Sequence, residues 1–213
     1  MTVNPELQRY IETEILPRYD HHDAAHRRDH ANTVIGQSME IVKNLQEEGV
    51  CVNPDMAYAI AAFHDTGLCE GRDIHHLASG RIIRDDVTLR QWFTEDQIET
   101  MAQAAEDHRA SAKHEPRSIY GRIVAEADRV IVPEVIVKRT IQYGLDHYPD
   151  LSPEEHFLRM VEHLKEKYGE GGYLRLWFPH SPNMKQLAKL RQLIKDEQAL
   201  QDLFNTLFPQ LNS

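Results

Sequence analysis

PDMAYAIAAFHDTG, residues 54–67, is the stretch that decides the fold class. Asn53-Pro54 reads as an N-cap followed by proline at the first helical position. The residues from Met56 to Phe63 are apolar nearly all round, which marks a helix buried on every side. That helix ends on His64-Asp65, just before Thr66-Gly67. Burying a charged Asp beside a His is costly unless both are paired or bound to a cation. The same stretch therefore poses the fold and the chemistry together.

Helical patterning continues on both sides. Between His30 and Glu48, Ala31, Val34, Ile35, Ile41, Val42 and Leu45 recur at helical spacing, and Gly49 closes the segment. Asn4-Pro5 opens an earlier helix that Pro17 should stop near Leu16, with an Asp- and His-rich loop from Tyr19 to Asp29. Downstream, helices are expected from Ile74 to Arg84 and from the Thr94–Gln97 capping box to His108. Two more run from Ile119 to Ile131 and from Pro133 to Gly144, and another from the Ser152–Glu155 capping box to Tyr168. A long final helix should start at Ser181-Pro182 and reach Phe208. Alternating strand patterns are missing. The expected architecture is all-α: one domain over 1–213, with a helical bundle core at 20–145 and a helical extension at 150–213.

Acidic residues outnumber basic ones 34 to 24, a net charge of −10. A nucleic-acid polymer needs a basic stripe to displace counterions, so it is not expected as a partner. A small anion needs only a metal or a local positive pocket. The chain has no apolar run of roughly 20 residues, so no membrane span is expected. MTVNPELQRY lacks a basic-then-apolar leader pattern. With two cysteines, Cys51 and Cys69, the expected compartment is the reducing cytoplasm.

Histidine is the outlier. Of 13, nine lie between His21 and His114. His30 opens an apolar helix, and Asp128 lies in the apolar run IVAEADRVIV. With His64 and Asp65 they supply imidazole nitrogen and carboxylate oxygen from three helices, a donor set suited to manganese, iron, cobalt, nickel or zinc, with magnesium a further candidate.

The order and context of these residues, HRRDHANTV, then FHDTG, then AEADRV, resemble the HD-domain metal-dependent phosphohydrolase superfamily, with its H…HD…D pattern. The resemblance covers residues 20–145. DHRASAKHEPRSIYGRIVAEADRV looks most like the small bacterial nucleotide pyrophosphohydrolase-like branch, although Ile131 and Val132 stand where that branch often has a second acidic residue. The resemblance implies His30, His64, Asp65 and Asp128 as metal ligands. His75 and His108 match positions that bind a second metal in binuclear members; the other reading of both is contact with substrate phosphate or a water. His75 is preferred to His76 because Ser79 follows it by four residues.

The implied function is hydrolysis of a phosphate ester or anhydride, with a nucleotide as the expected substrate. Asp65 and Glu70 are the catalytic candidates, Glu70 as general base. Asp73 is expected to cap the next helix. Arg27, Arg109 and Lys113 flank the site histidines and are the expected phosphate contacts, from a basic group that also holds Arg28, Arg117 and Arg122. Two other readings remain open: a diiron oxygenase of the same fold, and a nucleotide-binding regulatory module without turnover. The C-terminal third carries no recognisable chemistry, and a homodimer contact is among its candidate roles.

Overall fold

The computed structural model describes residues 2–21, 28–110 and 114–212. Those residues form ten α-helices with no β-strand among them, so the fold is all-α. None of these helices is long and apolar enough to cross a membrane. The chain divides into two compact units. The first runs to Val130 and takes in His180–Pro182; the second comprises Ile131–Pro179 and Asn183–Ser213.

In the first unit, α1 (Pro5–Tyr10) is capped by Asn4, whose side chain accepts the amides of Glu6 and Leu7. The helical path does not stop at Leu16 as Pro17 suggested. It continues through a π-helical turn, Ile11–Ile15, and a 3-10 segment, Leu16–His21. Two facts explain this. Pro17 stands at the start of the new segment, where an amide would be unbonded anyway. Leu7, Ile11, Ile15 and Tyr19 also recur every four residues, and all are fully buried. Burial of that stripe outweighs the proline signal. Tyr19 is therefore part of the core rather than of a loop.

Helix α2 (Arg28–Glu47) ends at Gly49, whose φ of +82° allows the Val50 amide to bond back to the Leu45 carbonyl. Helix α3 (Pro54–Phe63) is capped by Asn53 and buries every residue from Met56 onward. It is the central helix, packed against α2, α5 (Glu95–Asp107) and α6 (Ile119–Asp128). The 3-10 turn Thr66–Glu70 leaves the end of α3 and lies on α4 (His75–Asp85). Gly67 makes that approach possible, since a Cβ there would collide with the backbone of His75 and Ser79. Its amide donates to Ser79 Oγ at 2.9 Å. This close contact fixes α4 beside the His64-Asp65 doublet. Helix α5 opens with the expected Thr94–Gln97 capping box, and α6 ends at Asp128 rather than Ile131. The N-cap position of α4 is Ile74, with no side-chain cap, so Asp73 does not cap it.

The second unit contains α7 (Pro133–His147), α8 (Pro153–Tyr168), α9 (Pro182–Lys195) and α10 (Glu197–Leu211). Val137, Ile141, Met160, Leu164, Leu190 and Phe204 belong to its core. The Ser152–Glu155 capping box starts α8 as expected. The expected single final helix is two helices. Asp196 leaves helical geometry at φ −88°, ψ 86°, and its side chain caps α10 by accepting the Ala199 amide.

Candidate metal centre

The donors converge where α2, α3 and α6 meet. His30 comes from the first turn of α2, His64 and Asp65 follow the end of α3, and Asp128 ends α6. One ligand atom from each lies within 4.8 Å of all the others. His30 Nε2 is 3.0 Å from Asp128 Oδ1 and 3.7 Å from Asp65 Oδ2. His64 Nε2 is 3.3 Å from Asp65 Oδ2, 3.6 Å from Asp128 Oδ1 and 3.4 Å from His30 Nε2. Metal–ligand bonds of about 2.0–2.2 Å put neighbouring donors about 3.0–3.5 Å apart. The cluster therefore has the spacing of a coordination polyhedron.

A second cluster shares Asp65. Its other oxygen, Oδ1, is 3.4 Å from His75 Nε2 and 3.4 Å from His108 Nε2. The two imidazole nitrogens are 3.2 Å apart. His75 opens α4 and His108 follows the last residue of α5, so the shared packing of α4 and α5 brings them together.

Three of the rings are aimed the same way. The Nδ1 atoms of His64, His75 and His108 lie 2.8, 2.6 and 2.6 Å from the carbonyls of Ala61, Arg72 and Ala105. A carbonyl can only accept, so each Nδ1 carries a proton and Nε2 is the ring atom left to face the cluster. At the end of α3 this ring, Tyr19 and Thr66 together satisfy three successive carbonyls: those of Ala61, Ala62 and Phe63. Helix ends buried without such partners are rare.

Electrostatics agree with cation binding. Burial alone would raise the carboxyl pKa of Asp65, but His64 and His108 hold it far below the ordinary range. Asp128 behaves likewise, with His30 and His64 opposing its burial. Burial opposes protonation of His64, yet Asp65 and Asp128 raise its pKa well above the ordinary value. Two carboxylates thus hold positive charge at the centre. His64 and Asp65 are buried, whereas the side chains of His30, Asp128 and His75 are 19%, 23% and 11% exposed. The centre is open to solvent on that side.

The remaining site expectations fare differently. Arg109 Nη1 donates to the Asp73 carbonyl at 2.8 Å, and its charge helps burial to lower the pKa values of His75 and His76. It stands near the second cluster. Glu70 pairs with Arg81 at the exposed surface and is in neither cluster. Arg117 is bound to the buried carboxylate of Asp107 through its amide at 2.7 Å and its Nε at 3.0 Å, and its Nη2 also reaches Glu106. It is a structural clamp. Arg28 pairs with Asp20 at 2.7 Å. Arg27 and Lys113 lie outside the described residues, as do His22 and His26. Tyr19 was not anticipated: its hydroxyl accepts the Asp65 amide at 3.2 Å.

The family model of the HD domain matches residues 27–132. No curated protein and no solved structure matches the chain.

Proposed function

From its membership of the HD-domain superfamily, whose members are mostly metal-dependent hydrolases, we propose that this chain is a phosphohydrolase with a two-metal centre acting on a small phosphorylated substrate, a nucleotide first among them. The observation that carries the reading is Asp65, which turns one oxygen to each of two donor clusters. His30, His64, Asp65 and Asp128 would hold one divalent cation, and Asp65, His75 and His108 a second. Manganese, iron, cobalt, nickel and zinc all suit imidazole and carboxylate donors.

When bound, such a cation polarises a phosphoryl oxygen and makes water acidic enough to supply a nucleophile near neutral pH. The protein's own residues do the rest. The carbonyl-anchored rings keep Nε2 facing inward without reorganisation. Six donor side chains bring only two carboxylates, so a loaded centre stays positive and favours an anion. Arg109, held by the Asp73 carbonyl, lies on the side of the second cluster and is the candidate fork for phosphate oxygens. With three protein donors, the second cluster would leave a bound cation room to take a substrate oxygen or water.

One feature favours a second reading. Asp65, His75 and His108 form a two-His-one-carboxylate triad, a donor set that also serves iron oxygenases. Elemental analysis paired with a phosphate-release screen separates the two. Release of phosphate or pyrophosphate from a nucleotide with manganese, cobalt or magnesium supports the hydrolase. Two irons in coloured protein without release would replace it by the oxygenase.

A further inference from the structure

We propose that Tyr19, which lies before the matched HD region, is a positioning residue for the metal centre, setting the aim of Asp65 through the main chain. The inference rests on the metal-centre reading above. Tyr19 is fully buried on the 3-10 segment Leu16–His21. Its hydroxyl donates to the Ala62 carbonyl at 2.9 Å and accepts the Asp65 amide at 3.2 Å. One oxygen thus spans the point where α3 stops and the metal doublet begins.

That point needs support. Asp65 leaves the helix at φ −111°, ψ 7°, in the sparsely populated region between helix and strand. Its side chain must present Oδ2 to His64 and Oδ1 to both His75 and His108. A carboxylate that serves two clusters tolerates little rotation, because a turn that favours one oxygen misplaces the other. The Asp65 carbonyl is bonded by the Leu68 amide at 3.0 Å, and on the other side of the residue the Asp65 amide is bonded to Tyr19. The ring lies 6.4 Å from that of His64, and the hydroxyl is engaged with two main-chain groups beside the doublet. The segment that carries Tyr19 is fastened by Ile11 and Ile15, which are buried in the same core. A domain cut at the family boundary would lose this contact.

The test is Tyr19→Phe in the full chain, which keeps the ring and removes one oxygen. Cobalt(II) is titrated into metal-free wild type and variant against a competing chelator, with visible absorption recorded and folding checked by circular dichroism. The expected result is a folded variant whose cobalt affinity is weaker by about tenfold or more at both sites, as for other residues that orient ligands, with an altered cobalt spectrum. Equal affinity and an unchanged spectrum, even with a lower melting temperature, would reduce Tyr19 to ordinary core and overturn the inference. A variant that fails to fold is replaced by wild type and Tyr19→Phe compared after cobalt loading before denaturant is removed, where an unchanged cobalt spectrum again overturns it. Wild type that binds no cobalt would overturn the metal-centre reading itself, and this inference with it.

Discussion

His75 Nε2 and His108 Nε2 face each other at 3.2 Å while both rings donate through Nδ1 to backbone carbonyls. In the neutral state two lone pairs would meet head-on. Such a pair needs an electrophile, a proton or a metal cation, between its members. His75→Ala should therefore halve the bound metal and leave the His30, His64, Asp65, Asp128 cluster loaded. Elemental analysis of the purified variant checks this; unchanged stoichiometry would return both rings to substrate contact.

Asp65→Ala should remove both metals, because it withdraws a donor from each cluster. Helix content should hold, since Asp65 follows α3 rather than lying within it. Circular dichroism with metal analysis tests the two parts separately. Retention of a full metal complement would refute the shared-donor geometry.

The Asp107–Arg117 pair predicts stability rather than activity. Asp107 is buried and its carboxylate is held by the Arg117 amide and guanidinium. Arg117→Met removes the guanidinium but keeps the amide bond to the carboxylate, and a cost of about 2 kcal/mol is expected, below the full penalty for a buried pair because Arg117 itself is partly exposed. Urea unfolding measures it. A loss within experimental error would mean that the carboxylate finds other partners.

His156 predicts acid sensitivity in the second unit. It is buried against Phe208, with ring centroids 5.4 Å apart. Burial, then the charge of Arg159, lowers its pKa. The folded protein thus favours the neutral ring, and the unfolded chain takes up the extra proton. Stability from this group is present above about pH 6.5 and falls as the pH drops through that value. His163, lowered by burial and Lys167, acts in the same direction. Urea midpoints on either side of pH 6.5 should show the fall, and His156→Phe should reduce it without abolishing it. An unchanged pH dependence in the variant would exclude His156 as a source.

Much of this site was legible because its residues contradict their surroundings. His64 and Asp65 follow an apolar helix, and Asp128 stands in another apolar run, so their cost pointed to a cation before any fold was known. The histidines of the second cluster followed from family spacing. Other features were hidden for physical reasons. Pro17 masked the stripe of Leu7, Ile11, Ile15 and Tyr19, since a local breaker signal is stronger to the eye than a four-residue period. Asp196 reads as one more surface acid until its side chain is seen to cap α10. Arg117 has the same charge as Arg109, and only geometry shows that one is committed to Asp107 while the other stands beside His75. Composition announces a cation but not its partner.

The carboxylate of Asp65 also has a thermodynamic meaning. In the proposed two-metal centre, the ion that settled first among its neighbours would orient that group for the other, so occupancy of one position would change affinity at its companion. Linkage requires the effect to be mutual and equal in both directions. Titration of the wild-type protein should then depart from two independent isotherms. The protein's response to scarce metal would be graded by this coupling, set by a single side chain with two oxygens.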